Sequence, residues 1–265
     1  MRPRVPEPMV MDDPAAVLAF DAAHPVLQAP IYRLNAVALS RLLPEGGSLL
    51  DLGSGTGRLL IELARARPDV RISGRELAPT MVEVGRAALD AAGVADRVTL
   101  ATGDMTAVDE VPESVDVISC VWALHHLPAH ADVERALRGI AQIRERTGAA
   151  VWIFDFARLE DDATFAGVLD AVPGISPRLY EDAVASERAA WTADELADML
   201  RSAGLDDLSG GAEARIGHLQ AWASAPAEGA TKAHETLWRA DPLPSGPGQD
   251  LEELLSAGLP AARAS

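Results

Sequence analysis

The sequence Asp51-Leu52-Gly53-Ser54-Gly55-Thr56-Gly57 joins a short apolar run, 49–52, to a stretch with helical periodicity, 59–66. The three glycines let the backbone turn sharply and approach a ligand closely, because they carry no Cβ. A helix that begins directly after such a turn points free N–H groups and the positive end of its dipole toward it. The stretch therefore predicts a strand–loop–helix unit with a ligand-binding loop at the carboxyl edge of a sheet.

The spacing of the glycines indicates which kind of ligand this loop holds. The dinucleotide fingerprint G-x-G-x-x-G would require glycine at position 58, where the chain has Arg58. The carboxylate of Asp51 would repel a pyrophosphate but would suit an ammonium group. The loop therefore predicts a ligand with a positively charged amino-acid end and counts against a nicotinamide dehydrogenase.

Around this unit, short apolar runs alternate with helical stretches. Strands are predicted at 49–52, 70–73, 97–100, 115–120 and 149–154, and helices at 31–39, 59–66, 80–92 and 131–143. Further on, a helix is predicted at 192–203, where Thr192 and Glu195 have capping-box spacing, and strand-like pieces at 207–216 and 218–223. Both helix and strand signals are weak at 156–191. This alternation is typical of an open α/β sheet with helices on both faces.

Composition excludes several classes of partner. The chain has 265 residues, and its 23 basic against 40 acidic residues give a net charge of −17. Nucleic-acid backbones and anionic membranes select clustered positive charge, so we expect neither as a partner. The single cysteine, Cys120, excludes an intramolecular disulfide framework and a multi-cysteine zinc site. We expect a cytoplasmic protein whose partner is a small molecule.

The residues of the loop and of the later strand ends resemble the class I S-adenosylmethionine-dependent methyltransferases of the small-molecule type. The resemblance is close over about residues 30–155 and weaker to about 224. It implies a Rossmann-like fold: a mostly parallel seven-stranded sheet with helices on both faces, in a three-layer sandwich. Asp51 to Gly57 is similar to the family's first motif, whose loop holds the methionine half of the cofactor.

Three further stretches carry the resemblance. Glu76 follows Gly57 by 19 positions, where the family places an acidic residue, more often Asp, on the ribose hydroxyls. Gly103-Asp104-Met105 is similar to the element that contacts the adenine, and 121–127 to the motif beside the methyl group. The resemblance implies cofactor contacts from Asp51, Gly53, Ser54, Gly55, Gly57, Glu76, Leu77, Met81, Gly103, Asp104, Met105, Val121 and Tyr32.

His125 and His126 are the candidate catalytic residues, because an acceptor that loses a proton needs a base with a pKa near neutrality. The resemblance favours His126, and the alternative for each histidine is packing under the cofactor or capping a loop. His125, His126, His130 and Asp132 could be imagined as a metal site. Pro128 interrupts them and no H-E-x-x-H is present, so we expect no metal.

Other residues have two interpretations each. Asp155 either faces the substrate or caps the segment after the fifth strand; Tyr32 either contacts the cofactor or packs in the core. Cys120 is expected to be a buried thiol without a catalytic role. The remaining candidates lie in 156–191, which is either a substrate cap or a surface loop: Arg178, Tyr180, Arg188 and Trp191.

We expect three regions: an arm with cap helices at 1–44, the cofactor-binding methyltransferase domain at 45–224 with a substrate-cap insertion at 156–191, and an acidic, Ala/Pro-rich, largely disordered tail at 225–265. The expected reaction transfers a methyl group from S-adenosylmethionine to an O, N or C atom of a small organic acceptor, in specialised metabolism, and leaves S-adenosylhomocysteine. The alternative is a cofactor-binding scaffold or a non-methylating enzyme, such as a rearrangement catalyst, on the same fold. The sequence leaves open whether the chain forms a homodimer.

Overall fold

The structure, a computed structural model, describes residues 2–22, 24–107, 114–213 and 216–225. The tail predicted from 225 onward lies outside these residues, apart from residue 225 itself. The described strands are β1 Ser48–Leu52, β2 Arg71–Glu76, β3 Val98–Thr102, β4 Val117–Val121, β5 Ala150–Phe156, β6 Ser209–Ala212 and β7 Leu219–Ala223. The described α-helices are α1 Pro14–Ala22, α2 His24–Leu42, α3 Arg58–Ala66, α4 Pro79–Ala92, α5 His130–Thr147, α6 Asp162–Asp170, α7 Pro177–Ala189 and α8 Ala193–Ser202.

The seven strands form one sheet in the order β3-β2-β1-β4-β5-β7-β6. Strands β1 to β5 are parallel, whereas β7 runs antiparallel to β5 and β6 antiparallel to β7. The predicted mostly parallel seven-stranded sheet is confirmed. Because β1 to β5 point the same way, the segments that follow them all leave from one edge of the sheet.

The sheet separates two apolar cores, which makes the fold the predicted three-layer sandwich. Trp152 and Phe154 of β5 pack on the side of α2, α3 and α4. Val151 and Ile153 of the same strand pack on the side of α5 and α8, since successive side chains of a strand face opposite ways. Burial on both faces explains why 150–154 of β5 appears in the sequence as a continuous apolar run.

Helix ends follow the predicted signals. α4 has proline in its first turn and ends at Gly93, whose φ of 68° is left-handed. At α8, Thr192 Oγ1 accepts a hydrogen bond from the Glu195 N–H at 3.2 Å, and Glu195 Oε2 accepts from the Thr192 N–H at 2.8 Å. The predicted capping box is therefore confirmed.

Several boundaries and elements differ from the prediction; for example, the helix predicted at 31–39 begins at His24 and the strand predicted at 115–120 begins at Val117. β2 continues to Glu76 rather than ending at 73, because β3 supplies ladder partners as far as Thr102. The segment 156–191, whose signals are weak in the sequence, contains α6 and α7. Their N-caps are Asp161, which accepts from the Thr164 N–H at 2.8 Å, and Ser176, which accepts from the Leu179 N–H at 3.3 Å.

The N-terminal arm packs on this same segment. The Val5 N–H donates to the Arg188 carbonyl at 3.0 Å, and Arg2 pairs with Asp162 and Glu187. The arm and α7 therefore lie together. No helix in the described part of the chain is both long enough and apolar enough to cross a bilayer.

Candidate active site

The three glycines of the loop after β1 have left-handed φ angles, 77° at Gly53, 54° at Gly55 and 71° at Gly57. A Cβ on Gly53 would lie 2.3 Å from the Ala123 Cβ, and one on Gly57 would lie 2.9 Å from a methyl carbon of Leu100. A Cβ on Gly55 would have only the Met81 sulfur nearby, at 4.0 Å. The first and last glycines are thus required by packing, whereas Gly55 borders open space that a ligand can use.

The loop is held against the end of β2. The N–H groups of Gly53 and Ser54 donate to the Arg75 carbonyl at 2.8 and 3.0 Å. The Glu76 carboxylate accepts from the Gly55 N–H and from the Ala78 N–H, each at 2.9 Å. Glu76 therefore joins the turn after β1 to the turn after β2, and its charge lies beside the open face of Gly55.

Asp51 is a buried carboxylate at the centre of the sheet. It is only 2% exposed, and its backbone neighbours are Gly74 on β2 and Ser119 on β4. The Ser119 hydroxyl donates to Asp51 Oδ1 at 2.6 Å. Burial, reinforced by the charge of Glu76, raises the pKa of Asp51 to about 7. A carboxylate in this condition is stabilised by a cation placed beside it.

Other predicted contact residues border the same loop. The Met105 methyl carbon would lie 2.8 Å from a Cβ on Gly53. The Gly103 N–H donates to the Glu76 carbonyl at 2.9 Å, and Asp104 accepts from the Thr106 N–H and hydroxyl at 2.7 and 2.8 Å. The turn after β3 is thereby ordered next to the end of β2. The remaining predicted residues stand at neighbouring element ends: Leu77 between β2 and α4, Met81 in the first turn of α4, and Val121 at the end of β4.

Trp122, which directly follows β4, is a feature that the sequence did not reveal. Its φ of 53° is left-handed, which is rare for a bulky residue. Its ring stacks on Phe156 with centroids 5.4 Å apart, and Tyr32 meets it edge-on at 5.7 Å. Tyr32 therefore packs against the aromatic cluster beside the candidate site.

His125 is buried in a short 3-10 helix, Leu124–His126, after β4. Asp155 at the end of β5 holds it twice, with Oδ1 2.5 Å from the ring Nδ1 and Oδ2 accepting from the backbone N–H at 3.1 Å. Burial opposes the charged ring, but the Asp155 charge and hydrogen bond outweigh it and raise the pKa of His125. Asp155 also accepts from the Phe156 N–H at 2.8 Å, so it orients the histidine and caps its own turn.

His126 and the arm residue Glu7 complete this polar cluster. Glu7 Oε1 lies 3.3 Å from His125 Nε2 and 3.1 Å from His126 Nδ1. The His126 side chain is 39% exposed, yet crowding by surrounding protein atoms and the neighbouring His125 charge lower its pKa. Burial raises the pKa of Glu7, and His125 partly offsets that effect. Glu7 could not be predicted from the sequence, because no motif marks it.

Arg4 fastens the arm in this position. Its guanidinium donates to the carbonyls of His125 at 2.9 Å, Leu127 at 2.8 Å and Pro128 at 2.7 Å. The same group lies 3.9 Å from the centre of the Trp191 ring, a cation–π contact. The arm therefore covers the segment after β4.

Most of the remaining candidates have structural partners. His130 pairs with Glu134 at 3.5 Å, and Asp132 accepts from the Ala129 N–H at the start of α5. Burial raises the pKa of the Cys120 thiol, which lies within β4. In the segment 156–191, Arg188 pairs with Asp162, Arg178 with Asp182, Tyr180 lies on α7, and the Trp191 indole donates to the Leu124 carbonyl.

A surface cavity of about 620 Å³ lies between the C-terminal end of α5 and the turn after α8, lined among others by Arg144, Gly148 and Gly204. These residues stand at the opposite edge of the sheet, where β5 begins. Ligands of open α/β sheets bind at the carboxyl edge, so the glycine loop is the stronger candidate.

Comparisons with known proteins agree with this geometry. A family model described as "Methyltransferase domain" matches residues 49–148. A demethylmenaquinone methyltransferase of Roseiflexus castenholzii is 28% identical over 188 residues, which cover 67% of this chain and 75% of that protein. The O-methyltransferase pgmB of Aspergillus terreus is 34% identical over 116 residues, 43% of this chain and only 26% of that one.

A solved structure of a SAM-dependent methyltransferase from Aquifex aeolicus shares the fold, with a TM-score of 0.55 at 18% identity over 80% of this chain and 97% of that one. The loop, the strand order and these matches agree on one conclusion. Residues 49–148 form a methyltransferase domain, and the chain has the fold of, and is similar to, the class I S-adenosylmethionine-dependent methyltransferases.

Proposed function

We propose that this enzyme methylates an O, N or C atom of a small organic acceptor. The observation that carries the proposal is the position of the histidine pair, in the segment after β4 whose Ala123 packs against Gly53 of the loop. Groups able to handle a proton thus stand beside the expected cofactor site. The name of the pgmB relative supports oxygen as the acceptor atom, and the net charge of −17 argues against a nucleic-acid acceptor.

The residues around the loop fit S-adenosylmethionine. When bound, this cofactor supplies a methyl group on an electrophilic sulfonium. The open face of Gly55 offers it room, and Asp51 would pair with its ammonium group. Glu76 accepts two backbone N–H groups and keeps lone pairs for ribose hydroxyls, since a carboxylate offers about four acceptor positions. Adenine contacts would come from the turn after β3.

Within the histidine pair, we assign the two residues different parts. His126 is partly exposed, and burial with the neighbouring His125 charge lowers the pKa of its ring, which favours the neutral form that can accept a proton. His125 is buried and its Asp155 partner stabilises a positive ring, as a carboxylate does for a catalytic histidine. Asp155 acts here as a positioning residue.

The test is transfer of a radioactive methyl group from labelled S-adenosylmethionine to a panel of phenols, enols and amines and to a cell extract. We expect label in the small-molecule fraction. His126→Ala should lower kcat by about 10²–10⁴-fold, the usual contribution of general acid–base catalysis, and leave cofactor affinity within about twofold. His130→Ala is the matched control, because that ring lies outside the cluster and pairs with Glu134.

Two results would contradict the proposal. Cofactor binding without label transfer to any fraction would favour the scaffold or non-methylating alternative. Label in protein or nucleic acid would exclude a small acceptor. Equal losses of kcat and cofactor affinity in His126→Ala would give that histidine a structural role.

A further inference from the structure

We propose that Glu7, His125 and His126 bind a divalent transition-metal ion of the Zn²⁺ class, which fastens the N-terminal arm to the segment after β4. The three side chains each offer one ligand atom, and these atoms all lie within 4.8 Å of one another. Two imidazoles and one carboxylate form a donor set that suits zinc and leaves a fourth position open.

The spacing of the ligand atoms fits such an ion. Two ligands on a tetrahedral zinc ion, with bonds of about 2.0–2.1 Å, stand about 3.3 Å apart. Glu7 Oε1 lies 3.3 Å from His125 Nε2 and 3.1 Å from His126 Nδ1. The two histidine nitrogens lie within 4.8 Å of each other, so a side-chain adjustment that brings them closer would complete a coordinating arrangement.

Both histidines already have the partners that orient a metal ligand. His125 Nδ1 donates a hydrogen bond to Asp155, so the free lone pair of the ring is on Nε2, which faces Glu7. The His126 ring donates to the Pro8 backbone carbonyl, and the nitrogen that faces Glu7 is Nδ1. A carboxylate or carbonyl on the second ring nitrogen is the usual companion of a metal-bound histidine.

Two of the ligand atoms lack another role in the described residues. Glu7 Oε1 and His126 Nδ1 are buried there without a hydrogen-bond partner, a costly condition for polar atoms. A cation would satisfy both. The nearby guanidinium of Arg4 opposes a further positive charge, but the carboxylates of Glu7 and Asp155 outnumber it.

No metal is expected from the sequence, because Pro128 interrupts the histidines, no H-E-x-x-H is present, and the companions in that stretch are His130 and Asp132. Both of those residues are engaged on α5, and the third ligand comes instead from the arm. One consequence rests on the proposed function: an ion on these lone pairs would compete with proton uptake by the histidines. The binding test below needs neither cofactor nor acceptor, so it is independent of that function.

The experiment titrates the full chain, without an affinity tag, with Zn²⁺ by calorimetry and with Co²⁺ by visible absorption. We expect one ion per chain and the strong absorption bands of tetrahedral Co²⁺. Glu7→Gln and His126→Ala should each weaken binding by at least ~10–100-fold, the range seen when even an outer partner of a metal ligand is lost. Glu160→Gln and His130→Ala are matched controls that should bind as the unmodified chain does.

Urea unfolding, measured on every variant, reports whether the variant is folded. The proposal is overturned if the unmodified chain binds neither ion, or if folded Glu7→Gln and His126→Ala bind Zn²⁺ as tightly as their controls. If the unmodified chain binds neither ion, the contact between Glu7 and the two histidines is an ordinary polar contact that holds no metal.

Discussion

Replacing Asp51 with asparagine should stabilise the cofactor-free enzyme above pH 7 and weaken its cofactor binding. Burial raises the pKa of Asp51 to about 7 from its ordinary 3.8. The folded chain therefore holds this proton more tightly than the unfolded chain, and ionisation of Asp51 opposes folding. The favourable contribution of the protonated carboxyl is fully present below about pH 4 and is lost as the pH rises to about 7.

The size of the effect follows from the same two pKa values. A difference of about 3 pH units, at about 1.4 kcal/mol per unit, corresponds to about 4 kcal/mol of unfolding free energy above pH 7. Asparagine has nearly the same shape, and its Oδ1 still accepts from the Ser119 hydroxyl. The variant should therefore gain about 2–4 kcal/mol over the unmodified enzyme at pH 8 and almost nothing at pH 4.

Cofactor binding should respond in the opposite sense. An ionised Asp51 would pair with the ammonium group of the cofactor, so binding near pH 6.5 should release a proton. Loss of one charge-assisted hydrogen bond, about 1.5–3 kcal/mol, predicts about 10–150-fold weaker binding by Asp51→Asn. Urea unfolding at pH 4 and pH 8 measures the stability, and calorimetry in two buffers of different ionisation enthalpy counts the protons.

Asp69→Asn provides a control of opposite sign. Arg67 donates to both Asp69 oxygens at 2.8 and 2.6 Å, and this pairing holds the pKa of Asp69 well below its usual range. The stabilisation that ionised Asp69 contributes is present above about pH 4 and lost below it. Asp69→Asn should therefore be less stable than the unmodified enzyme at pH 8. The reasoning is refuted if Asp51→Asn is no more stable than the unmodified enzyme at pH 8, or if the difference does not change with pH.

Two further changes test the loop and a helix end. Glu76→Gln keeps the shape of the side chain but removes a charge that faces Gly55 and Ala78. Calorimetry should show cofactor affinity about 10–150-fold lower, because a charge-assisted hydrogen bond contributes about 1.5–3 kcal/mol to binding. An unchanged Kd would show that Glu76 does not bind the ribose. Thr192→Ala should lower the free energy of unfolding by about 1 kcal/mol, because the Glu195 N–H loses its capping hydrogen bond. Cofactor affinity should stay within about twofold. An unchanged free energy of unfolding in urea would contradict the capping role.

Much of the fold could be predicted because its signals are local. β1 and β5 are buried on both faces, so 149–154 appears as an unbroken apolar run and 49–52 as one interrupted only by Asp51. The glycine loop separates the first strand from its helix. The capping box at Thr192 is likewise complete within four residues. Elements with a weak local signal could not be predicted. α6 and α7 are marked in the sequence only by isolated Asp and Ser N-caps, and the last residues of β2 are held in the strand by pairing with β3.

The amino-acid sequence by itself determined the order of the strand–loop–helix units, the spacing of the loop glycines, and the positions of Asp51 before the loop and of Glu76 19 residues after Gly57. These features depend on periodicity and on neighbours a few positions apart. Only the tertiary structure decided that Asp155 hydrogen-bonds to His125 and that Glu7 contacts both histidines. Distance, burial and charge between segments far apart in the chain set those contacts and the raised pKa of Asp51, and none of these quantities is written in local sequence.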